Sequence, residues 1–434
     1  MAQNAATLAL LGGQKTVSYP WPPYPVIDHE EVNAATEVIL SRALSDVGRG
    51  PFIAQMEDSY AALFGAKYCL SFGSGTAALH GALFALGVRP GAEVLTCNHN
   101  WISGITAILH AGGTPVLCDV KPGAFHIDPE EIRRKVTSNT RAVIVTHLWG
   151  IPADLDPILK LCAKLNLPVV EDVSHAHGAK YKGRYCGTIG DIGAFSLQGS
   201  KAITAGEGGF MLTNNELWYQ RAAVPGHHGW RLNQTMTLEE LKPFAAGGGV
   251  WTYRMMPVAA AIALAQLRKL PLLNAARQAN FDRLRARLRT IPFLAWPRLA
   301  RGSVRGWYST PAFFAAAKAG ISRDTFSRAC QAEGAPVSGE GYCDWSQIPL
   351  FQDMKLFSQM FVVRHANGVE FNPVRKGALP NYEKVRSSML LFAIPAQELP
   401  VLMDQYAAAA EKVAANLAAL KRFEKEAARK KPAA

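Results

Sequence analysis

From Tyr68 to Asn214 the chain alternates short β-branched apolar runs with helical patterns, and this alternation limits its fold more than any other feature. The strand-like runs are EVLTCN (93–98), TPVLCDV (114–120), RAVIVTHLWG (141–150), LPVVEDV (167–173) and GAFSLQG (193–199). Helical stretches at 103–111, 129–136 and 155–165 separate several of them. Such a pattern demands right-handed βαβ units and a mainly parallel sheet with helices on both faces. In a sheet of that kind, reactive groups collect where strands end and loops lead into helices.

A long helical pattern follows, MPVAAAIALAQLRKLPLLNAARQANFDRLRARLRTI. Pro257 suits its first turn, whereas Pro271 is expected to break or kink it. Beyond about Pro292, short strand-like pieces mix with helices at 322–333 and 397–419, consistent with a smaller α+β domain. The resulting division is an N-terminal arm (1–25), a large domain with the bridging helix (26–280), a small C-terminal domain (281–420) and a frayed basic tail (421–434).

Of the 434 residues, 49% are hydrophobic and 18% charged, which supplies a large core and argues against disorder. The most apolar run, Val258–Leu264, is too short to cross a bilayer. No basic start precedes the short apolar patch near the N-terminus, so a cleaved signal is not expected. Seven cysteines show neither a C-x-x-C pair nor metal-ligand spacing, and reduced buried thiols in a cytoplasmic protein are the simplest reading. The net charge of +12 is dispersed apart from RLRARLR and the tail, so a solvated face is favoured over a nucleic-acid stripe. It would also favour an anionic substrate or a phosphate cofactor.

Four motifs bear chemistry. SFGSGTAALHGALFALG reads as strand, glycine turn and helix, and the helix start with the hydroxyls of Ser74 and Thr76 is suited to phosphate. Alone, the same residues are more often an ordinary helix cap. In VVEDVSHAHGA, Asp172 stands at a strand mouth three residues before His175. A carboxylate there could hold the charge of a protonated pyridine nitrogen, or simply cap the next helix. Trp101, in CNHNWISG, follows another strand end and could stack on a flat ring or belong to core or rim. Finally, FSLQGSKAITAGEGGF sets Ser196 five residues before Lys201, with Gly206, Gly208 and Gly209 after it. A lysine desolvated there would have the lowered pKa a Schiff-base nucleophile requires, although an isolated lysine in such a loop is usually a solvated charge. The set of four, each at a strand end, shifts the balance towards chemistry.

The ordered blocks SGTAAL, NHNWIS, VVEDVSHAHGA, YKGR, GTIGDIGAFSLQGSK and ITAGEGG resemble the DegT/DnrJ/EryC1/StrS family of sugar and cyclitol aminotransferases. The opening LALLGGQKTVSYPWPPYPVID and the SLQ-x-SK form resemble the branch that aminates scyllo-inosose-type ketones. The resemblance implies pyridoxal phosphate on a fold-type I scaffold, with Lys201 as covalent anchor and proton shuttle. Asp172 would bind the pyridinium nitrogen, and His175 would lie on the ring-hydroxyl side. Ser74, Gly75, Thr76 and Ser196 would hold the phosphate, and Trp101 would cover one ring face. The segment VWTYRMMP would reach a neighbouring subunit's site, making a homodimer the working unit. Thr252 stands where the family commonly has Asn, so its phosphate contact is open, while Arg254 is present. His227 and His228, in GHHGWR, are candidates for the substrate side.

The implied reaction is a ping-pong transfer of an amino group from glutamine or glutamate to a cyclic polyhydroxy ketone, an inosose-like cyclitol or a keto sugar. Rival readings are an aminotransferase for nucleotide-linked keto sugars, a related lyase or synthase, and a cofactor-binding regulator without turnover. Lys201 argues against the dehydratases of this scaffold, which carry histidine in its place. No nucleic-acid, membrane or metal partner is expected.

Overall fold

The structure is a computed structural model, and it describes residues 7–249, 251–339, 341–353 and 377–429. Outside these fall the ends of the expected arm and tail, Val250 of VWTYRMMP, and part of the stretch assigned to the small domain.

A seven-stranded sheet forms the larger body. Its strands are β1 (Tyr68–Phe72), β2 (Glu93–Cys97), β3 (Thr114–Cys118), β4 (Thr140–Thr146), β5 (Val169–Asp172), β6 (Ile192–Ser196) and β7 (Gly209–Thr213), in the order β1-β7-β6-β5-β4-β2-β3. The run β6-β5-β4-β2-β3 is parallel, as the alternation demands. β7 departs from this and pairs antiparallel with both β1 and β6. Two antiparallel steps restore direction, so β1 runs the same way as β6 and ends at the same edge. Gly209 faces Phe72 on one side and Ser196 on the other.

Side chains alternate between two cores, with the period of a strand. In β4, Val143 and Val145 join the core on one face, and Ala142 and Ile144 join the other. β-branched residues buried on both faces stabilise such a sheet by roughly 1.5–3 kcal/mol per fully buried side chain. Helices cover both faces, among them α1 (His29–Ser41), α2 (Pro51–Phe64), α3 (Gly75–Ala85), α4 (Ser103–His110), α5 (Pro129–Lys135) and α6 (Leu155–Lys164). The sequence reads as an amphipathic helix starting near Thr76, but α3 is buried along most of its length and on all sides, because it lies between the sheet and neighbouring helices.

After α7 (Glu216–Ala223) and α8 (Gly229–Thr235), α9 spans Pro257–Leu288 without interruption. The expected break at Pro271 is absent. Proline removes one intrahelical hydrogen bond and costs about 3 kcal/mol. Here Leu264, Leu267, Leu270 and Leu273 are buried on both sides of it, and that packing carries the helix through.

A second, antiparallel sheet contains β8 (Leu294–Ala295), β9 (Thr310–Phe314), β10 (Val337–Ser338) and β11 (Met389–Phe392), in the order β8-β9-β11-β10. α10 (Arg323–Ala332), α11 (Pro380–Ser388) and α12 (Pro400–Ala415) accompany it. Its own core also takes in Leu8 and Val17 from the chain's beginning and Leu284 and Leu288 from the end of α9. The stretch expected to fray is instead helical as far as Arg429, in α13 (Leu417–Arg429). Leu420 is buried in this core, and Glu424 accepts hydrogen bonds from the backbone and hydroxyl of Ser322. No helix among the described residues is long and apolar enough to cross a membrane.

Candidate active site

Because β1, β2, β4, β5 and β6 share one direction, their C-terminal ends meet along one edge of the sheet. There they surround a cavity of about 400 Å³, a size suited to a small ligand. Ser74, Gly75 and Thr76 enter it after β1, Asn100 and Trp101 after β2, Thr146 from the end of β4, Asp172, Ser174 and His175 from and after β5, and Ser196 and Lys201 from and after β6.

Ser74 caps α3, its hydroxyl accepting from the Ala77 N–H at 3.1 Å. The cap and the anion-site readings of this turn are therefore compatible, since the hydroxyl satisfies one amide and the helix start still faces the cavity. The turn abuts β6 so closely that a Cβ on Gly75 would lie 2.6 Å from the Ser196 Cβ. Thr76 and Ser103 join hydroxyls at 2.7 Å on the same wall.

Asp172 is buried, and one of its carboxylate oxygens accepts from the Ser174 N–H at 3.1 Å. Lys201 is only 7% exposed. Its ammonium lies 4.5 Å from the centre of the Tyr308 ring and makes no salt bridge among the described residues. Burial lowers its pKa, and Tyr308 and Asp172 only partly offset that effect. His175 stacks on Tyr308, with centroids 3.9 Å apart and planes 12° from parallel, and its Nε2 lies 2.8 Å from the Tyr342 hydroxyl. Burial, and then the Lys201 charge, push this imidazole far below the usual histidine value, so it is neutral. Burial also raises the Tyr342 phenol well above its ordinary value, so it stays protonated.

Trp101 is 47% exposed, with Tyr342 at 5.4 Å and Trp345 at 5.5 Å between ring centroids. It is a partly exposed rim residue of the cavity it lines. Asn100 donates to the Thr146 hydroxyl at 2.7 Å, and its carbonyl accepts from the Trp345 indole N–H at 2.5 Å.

Four expected residues are not brought to this cavity. The His227 ring packs edge-on against Phe72 at 5.3 Å, and the His228 Nδ1 accepts from the Trp230 N–H to cap α8. In the same motif Arg231 is buried against Glu57 at 2.9 Å, so the motif serves packing in its own chain. Thr252 and Arg254 flank Tyr253, whose carbonyl accepts from the Gly73 N–H at 2.6 Å. The segment thus passes the phosphate-suited turn without lining the cavity of its own chain.

Sequence reasoning missed Tyr308 and Tyr342 as wall residues. They lie more than a hundred residues beyond Lys201, outside the βα pattern, and no spacing marks them.

A buried, unpaired lysine amine facing a buried carboxylate, beside a helix start, on a mainly parallel sheet defines a pyridoxal-phosphate enzyme. The cavity fits that group on its own geometry. The helix start and strand end form a cradle that one added methyl would fill, and His175 Nδ1 is a buried polar atom with no partner among the described residues. Residues 25–360 match the DegT/DnrJ/EryC1/StrS aminotransferase family, and the chain belongs to it. A Micromonospora echinospora protein with the provisional name L-glutamine:3-amino-2,3-dideoxy-scyllo-inosose aminotransferase is 35% identical over 344 residues, covering 77% of this chain and 79% of that one. A protein of the same provisional name from Streptoalloteichus tenebrarius is 33% identical over 342 residues, covering 76% and 79%. The aminotransferase structure from Psychrobacter cryohalolentis superposes with a TM-score of 0.80 at 28% identity, over 92% of this chain and all of that one. The chain is therefore a pyridoxal-phosphate-dependent aminotransferase.

Proposed function

We propose that this aminotransferase moves an amino group from glutamine or glutamate to a cyclic polyhydroxy ketone of the inosose class. The observation that carries the reading is the single cavity joining the desolvated Lys201 to Asp172 and to the α3 start. The acceptor class rests on the names of the two relatives. When bound, pyridoxal phosphate supplies an aldehyde that condenses with amines and a protonated ring that draws electrons from the neighbouring carbon.

Lys201 anchors the cofactor and afterwards moves the proton at the donor's α-carbon. Its lowered pKa keeps a larger share of the amine free to act as a base near neutral pH. Asp172 holds the pyridinium proton by charge. His175, neutral and fixed by Tyr342 and Tyr308, would contact the ring-hydroxyl side of the bound cofactor. Gly75, Thr76 and Ser196, with the Ser74-capped amides, hold the phosphate. Trp101 would stack on the bound ring, and it shares an aromatic rim with Tyr342 and Trp345.

The working unit is a homodimer. Val32, Ile39 and Leu40 on α1, with Trp251 and Met256, leave an apolar surface exposed on the single chain. A second copy covering it would bring Thr252 and Arg254 to the partner's cavity, where Thr252 has only a hydroxyl to offer. His227 and His228 serve the substrate side only if that interface exposes them. The domain division is the one given above, with Lys201 in the large domain and Tyr308 and Tyr342 in the small one. The seven unpaired thiols, six of them buried, fit a reducing cytoplasm.

A panel of cyclic ketones offered with glutamine, with mass detection of the aminated product, tests the reading. Free inososes should be aminated in preference to nucleotide-linked keto sugars; the reverse preference would favour the sugar reading.

A further inference from the structure

An amine that takes up a proton in this cavity must be held as an ammonium where little water reaches it. Lys201 is buried, and among the described residues its Nζ makes neither a hydrogen bond nor a salt bridge. Burial of that kind works against the charged form. What stands within reach is a ring. Nζ lies 4.5 Å from the centre of Tyr308, inside the roughly 6 Å over which a cation is drawn to an aromatic face. The other titratable groups around the amine are Asp172, His175 and His177 on the β5 side, Glu207 on the lysine loop, and Tyr342. Burial keeps both imidazoles neutral, and it holds His177 down to about 3.

The Tyr308 ring is fixed from several sides before any charge forms above it. It lies two residues before β9, in a loop that wraps the buried guanidinium of Arg305. Arg305 donates to the Ser309 carbonyl at 3.1 Å and to the Trp149 carbonyl at 3.3 Å, and it stands 4.1 Å from the centre of the Trp307 ring. The Gly306 N–H donates to the Gly150 carbonyl at 2.8 Å, and a Cβ on Gly306 would meet the Ala176 backbone at 2.8 Å. The loop is thus pressed against the turn after β4 and the segment after β5. His175 stacks on the ring, Trp149 lies within 17° of parallel to it at 6.0 Å, and the Tyr308 and Ser200 hydroxyls are 3.3 Å apart. A group held this firmly needs no reorganisation when charge develops beside it.

We infer that the face of the Tyr308 ring holds the protonated amine of Lys201 during proton transfer. The inference rests on the reading of Lys201 as the proton carrier. As the donor's α-carbon loses its proton, the electron pair of the C–H bond stays with the substrate, and Nζ gains a third hydrogen and a positive charge over the ring. The aromatic face favours that charged amine and not the neutral one, so it assists removal of the proton rather than binding of the donor.

The decisive experiment keeps the shape of the ring and changes only its charge distribution. Tyr308→Phe removes the hydroxyl and is the parent of a series in which mono-, di- and trifluorophenylalanine at the same position weaken the ring face step by step. In the full-chain apoprotein, the pH dependence of carbamylation at Lys201, read by peptide mass spectrometry, reports the proton affinity of Nζ. That affinity should fall with each fluorine, by about tenfold from Tyr308→Phe to the trifluoro form. In the loaded enzyme, kcat for the donor should fall in step with an unchanged donor KM, and the kinetic isotope effect with the α-deuterated donor should rise. A proton affinity that stays constant across the series would overturn the role of the ring while leaving Lys201 as the proton carrier. Loss of α-deuterium from the donor at the wild-type rate in Lys201→Ala would overturn that underlying reading instead.

Discussion

Lys201 keeps its amine where water does not follow, over the Tyr308 face and opposite Asp172. Lys201→Ala should lower turnover by about 10⁴ or more while leaving the folded structure intact, as steady-state rates and circular dichroism will report. Asp172→Asn should cost on the order of 10²-fold, because a neutral amide does not hold a pyridinium proton. Burial also links Lys201 to stability. Its folded pKa lies below the ordinary 10.5, so the unfolded chain keeps this proton to higher pH. Below the folded value the full cost of the buried charge stands, and it is relieved as pH rises towards 10.5. Apoprotein carrying Lys201→Met should therefore be more stable than wild type at pH 7, with the gap closing by pH 10 in denaturant titrations. Lys201, Asp172, Ser196 and the 74–76 turn were legible in the sequence because each follows a recognisable strand. Tyr308 and Tyr342 were not, since an aromatic wall carried by a distant loop leaves no periodic trace. The histidine pair does not reach the cavity of its own chain, because His228 caps α8 and His227 packs on Phe72.

At the level of elements, the site depends on how closely the α3 start approaches β6. The Gly75 Cβ position lies 2.6 Å from one Ser196 atom and 3.0 Å from another, so Gly75→Ala must push the two apart. It should cost about 1–3 kcal/mol of stability by thermal unfolding and weaken retention of pyridoxal phosphate on dialysis. The parallel strands and their helices followed from β-branched runs of strand length. The antiparallel insertion of β7 did not, because pairing direction is set by connections rather than by composition. α9 likewise overrode a local rule, since tertiary packing of its leucines outweighs the bond lost at Pro271.

For the whole molecule, the exposed apolar residues of α1 and the 251–256 segment are where the proposed homodimer is tested. Replacing Ile39 and Leu40 with aspartate should shift the sedimenting species from dimer to monomer. The fold and cofactor class were readable because several separated blocks agree in order. The substrate was not, since it depends on walls contributed by loops. The central claim is that the Lys201 cavity accepts an amino group from an amino acid. It is tested most directly by following the visible absorption of the purified, cofactor-loaded enzyme as L-glutamine or L-glutamate is added without any ketone. Loss of the band belonging to the lysine-bound cofactor, with release of the corresponding oxo acid, is the predicted result. A spectrum that stays unchanged with both donors at saturating concentration would contradict the account.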